Sequence, residues 1–392
     1  MVLLSLLLLM GSVNHNNILA LWLGKKNPHA AIAGFNQFPQ FFNAHLLSIP
    51  NPIIEILALN GSTDAQFIWA LQLLEQHQAD TAKVYWQPSV AKQPDKQRLH
   101  LANLLMEHQR WHELAHLATQ ELIPSSDTFD LIKLNLGYPA HAISHDFAKR
   151  SDFSLSTADV IADTHCEYNV LMMTDHYQGL TKLKDFKQRY ITQPEPRRGA
   201  FCFSTPLYLG SDISCQNNPK HAASCDWQAL ISNVQWPKEY DFIVMMPRTG
   251  KGNVRSGIMQ LGSQSHYGIF LHELMHFNGF EDEYALPIVK QAWLCKQTGY
   301  VAPNLFIANN IAPPEGWHVS QSCQGRIKAY KPSDNWSIMQ YQQLALSTKY
   351  RELWSAQINN KQQHLLRFAD YFSKVSGTVN FIDKMTNNHN TE

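Results

Sequence analysis

The pattern of apolar and polar positions divides the chain in two. From about residue 50 to 150, apolar residues recur every three or four positions, over Ile53–Leu59, Phe67–Leu74 and Leu99–Leu117. That period predicts amphipathic helices. From about residue 155, short continuous apolar runs take over. Tyr168–Met173 (YNVLMM) and Asp241–Met246 (DFIVMM) read as buried strands. Between them, Tyr177–Tyr190 carries a helical stripe that ends before Pro194. Ala200–Leu209 (AFCFSTPLYL) reads as a strand that Pro206 confines to an edge or a bulge. After Pro247, RTGKGN reads as a turn, because it lacks the spacing and the Ser/Thr of a phosphate-binding loop. Val254–Leu261 (VRSGIMQL) follows as a short strand, and helix returns at about Tyr267. The expected class is α+β, with an all-α region ahead of the strands.

Inside the helical part, LLEQHQ (Leu73–Gln78) recurs as LLMEHQ (Leu104–Gln109), an offset of 31. That is near the period of tetratricopeptide-like helical hairpins, and an ordinary bundle with a chance match fits equally well. At the N-terminus, Val2–Met10 is apolar apart from Ser5, which is the length of a signal-peptide core and too short to span a bilayer. No Lys or Arg precedes Lys25, and a second apolar run, Ile18–Leu23, leaves a membrane-anchored form open. The expected division is a signal or anchor segment over 1–24, a helical domain over 25–152, a second domain over 153–378 and a mobile tail over 379–392. The expected location is secreted, periplasmic or cell-envelope.

Composition narrows the classes. Lys plus Arg is 32 and Asp plus Glu is 32, so no basic excess exists to neutralise phosphates, and general nucleic-acid binding is not expected. With 44% hydrophobic and 16% charged residues, the chain is too apolar to be disordered. An exported chain can oxidise its six Cys. Cys215 and Cys225 bracket a polar loop, and Cys295 and Cys323 bracket a long loop rich in Pro, Gly and Asn, so both are candidate pairs. No CxxC occurs, which leaves a thiolate zinc ribbon unsupported.

The chemistry lies in HYGIFLHELMHFNGFEDEYALP, His266–Pro287. His272 and His276 are four residues apart, hence on one helix face, and both imidazoles can bind one metal ion. Glu273 projects beside them and can act as general base on a water. Gly279 can take positive φ, end the helix and let the chain double back. Asp282 can then close a three-ligand zinc site; its neighbours Glu281 and Glu283 are open alternatives.

The pattern HExxHxxGxxD resembles the metzincin metallopeptidases, most closely in the Asp-ligand form of snapalysin-type enzymes, and its DEY ending is similar to IgA-peptidase-like bacterial metallopeptidases. Ser337–Tyr341 (SIMQY) matches the Met-turn of that family. The resemblance covers roughly residues 155–375. It implies a twisted mixed sheet, an active-site helix, one catalytic Zn2+, and Met339 in an apolar floor beneath the ligands. It also implies peptide-bond hydrolysis with Glu273 as base and Tyr341 holding the oxyanion. Substrate would lie along an antiparallel edge strand, for which Val254, Gly257, Ile258 and Met259 are the candidates. Two other readings stand beside the endopeptidase: a helical-repeat binding or assembly protein with a structural or degenerate zinc site, and a zinc amidase acting on cell-wall peptides.

Overall fold

A computed structural model describes residues 28–233, 236–360 and 365–375. The expected signal or anchor segment and the expected tail lie outside the described residues. The chain is mixed α+β and divides into two compact units, one up to Ile132 and one from Lys133.

The first unit is helical. Thr63–Glu75 and Ala79–Ser89 form one hairpin; Asp95–Glu107 and Trp111–Thr119 form a second, each helix starting 32 residues after its counterpart. Ser62 caps the first helix by accepting from the Ala65 amide. Both first helices end the same way. His77 (φ 61°) and Gln109 (φ 55°) take the left-handed conformation. The next amides, of Gln78 and Arg110, reach back to Leu73 O and Leu105 O, each at 2.8 Å. The structural repeat is therefore 32, and the LLEQHQ/LLMEHQ match at 31 is out of register by one. Leu73 corresponds to Leu105, not to Leu104.

The second unit begins earlier than the expected 152/153. Residues 133–152 belong to it because Phe147 packs on Phe153, Phe153 on Tyr208, and the Tyr208 hydroxyl donates to Tyr138 O. Its first eight strands are β1 (Tyr168–Thr174), β2 (Phe201–Phe203), β3 (Leu207–Tyr208), β4 (Ser214–Cys215), β5 (Cys225–Asp226), β6 (Phe242–Met246), β7 (Asn253–Arg255) and β8 (Ile258–Gln260). The main sheet runs β2-β1-β6-β8-β7, with β3 also on β1. All its pairings are parallel except β7 on β8, which is antiparallel and places β7 at the edge. The parallel strands are apolar on both faces, as burial on both sides requires. Val170, Met172, Phe242 and Val244 face the helices Tyr177–Thr192, Tyr267–His276 and Thr348–Asn359; Leu171, Met173, Ile243 and Met245 face Trp227, Phe368 and Phe372.

Two strand expectations are corrected. Ala200–Leu209 is two short strands broken around Pro206, both parallel to β1. Val254–Leu261 is a hairpin: Ser256 (φ 52°) and Gly257 (φ 76°) make the two-residue turn. A Cβ on Gly257 would sit 2.4 Å from Phe368 N, so only glycine fits there. Val254 is on the edge strand, Gly257 is in the turn, and Ile258 and Met259 are hydrogen-bonded between β6 and β7.

The stretch expected to be a long loop is an insert with its own antiparallel sheet, β9 (Gly299–Ala302), β10 (Leu305–Ala308), β11 (His318–Ser320) and β12 (Lys328–Lys331), in the order β11-β12-β10-β9. Its small core holds Leu286, Leu294, Leu305, Ile307 and Cys323. Disulfides join Cys295 to Cys323 and Cys215 to Cys225, as the spacing proposed, and Cys166 to Cys202. Three disulfides suggest an oxidising, extracellular environment. Among the described residues, no helix is long and apolar enough to cross a membrane.

Candidate metal centre

The helix Tyr267–His276 buries Phe270, Leu274 and Met275 against the sheet and turns Glu273 and His276 toward a cleft of about 510 Å³, with His272 buried beside them. Gly279 (φ 77°) reverses the chain, as its position predicted. Of the three acidic residues that follow, Asp282 alone faces the histidine pair. Its Oδ1 is 3.1 Å from His272 Nε2 and 3.3 Å from His276 Nε2, and the two nitrogens are 3.2 Å apart. Glu281 turns to Lys290, 2.5 Å away. Glu283 is fully buried and accepts from Asn304, Ser337 and Tyr350.

The tautomers follow from the outer nitrogens. His272 Nδ1 lies 2.9 Å from Ile338 O and His276 Nδ1 lies 2.7 Å from Phe280 O. A carbonyl only accepts, so each Nδ1 carries the proton, and a neutral ring presents a bare lone pair at Nε2. Three acceptors thus converge, and Asp282 Oδ1 is buried without a hydrogen-bond donor. Such a trio calls for a cation or an added proton. With a proton, burial opposes the charge on His276, but hydrogen bonding to Asp282 and its charge prevail and push His276 up to about 9. In that protonated arrangement burial likewise opposes the Asp282 charge, and hydrogen bonds from the histidines hold it well below the usual carboxylate range.

The spacing suits a metal ion. Bonds of about 2.0–2.1 Å to tetrahedral zinc set ligand atoms about 3.3–3.4 Å apart, and the trio measures 3.1–3.3 Å. Ligand atoms of His272, Glu273 and His276 also lie within 4.8 Å of one another, so this group could hold a metal too. The Asp282 trio is tighter, and it leaves Glu273 free beside it.

Glu273 is buried, and burial pushes its carboxyl up while the two histidines pull it down. Its carboxylate packs on Gly252, where a Cβ would lie 2.6 Å from Oε1. The turn RTGKGN, with no role assigned from sequence, thus shapes the space around the candidate base. β7 supplies one cleft wall through Asn253 and Val254.

Met339 is buried in the same core as Phe270, Leu274 and Met275 of the helix, in a turn where Tyr341 N reaches Ser337 O at 2.9 Å. Ile338 O orients His272, and Met339 O accepts from the Glu283 amide at 3.0 Å. Tyr341 is 39% exposed, packs on Trp336 and is not part of the cleft wall. Tyr284 is. Its ring stacks on His272 at 6.5 Å; burial, then the charge of Asp282 and a hydrogen bond to it, push its hydroxyl above the usual range. Sequence reasoning gave no role to Asn304 or Tyr350, whose contacts to Glu283 span 21 and 67 residues. In comparisons with known proteins, no protein-family model and no curated protein matches the chain.

Proposed function

We propose that the protein is a zinc-dependent endopeptidase of metzincin type, with His272, His276 and Asp282 as ligands and Glu273 as general base. The observation that carries this reading is the convergence of three bare acceptors at 3.1–3.3 Å with a buried carboxylate alongside. A purely structural site has no use for Glu273. Bound at this trio, zinc would polarise the scissile carbonyl and make the attacking water more acidic. Glu273 takes the proton of that water and returns it to the leaving nitrogen. Ile338 O and Phe280 O keep both imidazoles in the metal-binding tautomer. β7 offers its free side to an extended peptide; main-chain pairing there binds with little side-chain preference. The Met-turn, the active-site helix and this antiparallel edge strand are the features shared with the metzincin pattern.

The test is metal analysis of protein purified without chelator, with casein, peptide-library and cell-wall-peptide cleavage, for wild type and Glu273→Gln. We expect one zinc per chain in both and a loss of cleavage of about 100-fold or more in the variant. Zinc without Glu273-dependent cleavage would favour a binding protein built on the helical hairpins, with a structural metal. Cleavage confined to cell-wall peptides would make the enzyme an amidase of that class. Absence of metal would refute every zinc reading.

A further inference from the structure

The segment that carries Asp282 has no regular structure, yet it is largely buried. Residues 281–283 belong to neither helix nor strand, and Glu283 is fully buried. Backbone amides and carbonyls in such a stretch need partners. Most of them come from the insert. Asn304, in the β9–β10 turn, accepts from the Glu281 amide at 2.9 Å and donates to Glu281 O at 2.7 Å, as a neighbouring strand would. The same amide nitrogen donates to Glu283 Oε1 at 2.8 Å. Ser322 donates to Asp282 O at 2.8 Å and Ser320 to Glu283 O at 3.1 Å. Asn304 and Ser322 are fully buried and Ser320 is 3% exposed. All three side chains are thus turned inward onto one three-residue stretch.

The Cys295–Cys323 bond closes this clamp. Cys323 follows Ser322 directly, and Cys295 ends the helix Ile288–Leu294, which begins just beyond the ligand segment. Gln291 of that helix adds two ties: it donates to Leu286 O at 2.6 Å and accepts from the Gln324 amide at 3.0 Å.

We propose that the disulfide-closed insert is the positioning element of the metal site: Asn304, Ser320 and Ser322 hold the 281–283 backbone so that Asp282 meets the two histidines. This rests on the reading of His272, His276 and Asp282 as ligands. The insert therefore sets metal affinity, and the disulfide keeps the insert in place.

The experiment uses the full chain as wild type, Asn304→Ala, the Ser320→Ala/Ser322→Ala pair and the Cys295→Ser/Cys323→Ser pair. Zinc affinity is measured by chelator competition, and amide hydrogen exchange is followed in the metal-free proteins. Each variant that keeps the wild-type circular dichroism spectrum should bind zinc about 10–100-fold more weakly, the usual effect of removing an outer support. In the metal-free state, the amides of 281–284 should exchange faster while those of β1 and β6 do not change. A merely structural role would shift the melting temperature and leave zinc affinity and local exchange alone. Folded variants with wild-type affinity and wild-type exchange at 281–284 would overturn the proposal. A wild type that binds no zinc refutes the ligand reading instead, and the exchange measurement then decides the clamp by itself. The two serine substitutions are the milder route should Asn304→Ala fail to fold.

Discussion

Replacing Glu283 by Gln separates the two carboxylates that flank one peptide bond. Glu283 is buried with no exposed surface and takes three hydrogen bonds, from Asn304, Ser337 and Tyr350. Among the described residues its counter-charge is Lys331, 4.0 Å away and itself 4% exposed. A Gln side chain keeps one oxygen for Tyr350 and Asn304, and can turn its amide to the Ser337 hydroxyl. Losing charge assistance in two bonds costs about 1 kcal/mol each. Lys331 also loses an attraction of about 4 kcal/mol at an effective dielectric of about 20. Against this, burial pushes Glu283 up and Lys331 down, so both charges are held at a desolvation cost that the substitution partly relieves. The net expectation is a loss of about 3 kcal/mol, or roughly 6–12 °C in Tm for a unit of this size. Chemical and thermal denaturation of the metal-free protein reads it directly. Adding Lys331→Met should recover part of the loss, because neither charge then remains buried alone. A Glu283→Gln protein within 0.5 kcal/mol of wild type (about the error of such a comparison), or a double variant worse than the single, would refute the stabilising role of this carboxylate.

Other expectations follow from single contacts. Gly252→Ala places a Cβ against Glu273 Oε1 and Ile269; on the proposed peptidase reading it should lower kcat by about 100-fold with zinc content unchanged, and unchanged kcat would remove Glu273's present position from the proposed mechanism. Trp354 is fully buried against Phe201 and donates to Asn278 at 2.7 Å, so Trp354→Ala should cost about 3–5 kcal/mol in denaturant melts. Burial pushes Tyr240 up to about 12 and raises Tyr190, Tyr208 and Tyr267 as well. Above about pH 10 the unfolded chain loses these phenol protons while the folded chain keeps them, so stability falls as pH rises toward the folded values, by up to about 1.4 kcal/mol per group per unit. Phenolate absorbance for these four should appear with unfolding, and its appearance in the folded protein would count against their burial.

The parts legible in the sequence were those with a local signature. The runs at 168–173 and 241–246 supply strands, because short, mostly apolar runs of that length suit a sheet covered on both faces. The helix at 267 and the Gly279 reversal follow from spacing and from glycine's conformational freedom. The spacing favoured Asp282 and left Glu281 and Glu283 as alternatives; what turns those two neighbours away from the histidines was not legible. They are held by Lys290, Asn304, Ser337 and Tyr350, and three of these lie more than twenty residues away along the chain. The hairpin in VRSGIMQL was missed because Ser256 takes a left-handed conformation usually signalled by Asn, Asp or Gly. The helical repeat was read one residue out of phase, since two adjacent leucines offer two alignments and only the positions of the left-handed residues choose between them.

The shortness of β7 has a consequence for how copies of this protein behave together. An open sheet edge invites the same edge of another molecule, and long flat edges seed aggregation. Here the free row is three residues, Asn253–Arg255, closed at one end by the Ser256–Gly257 turn and preceded by the Gly-rich RTGKGN turn. That is about 10 Å of strand, too little to hold a second copy by backbone pairing alone. A short extended segment that also reaches into the adjoining cleft gains contacts that another edge cannot make. The same three residues can therefore stay open to solvent at high protein concentration without joining molecules into fibres.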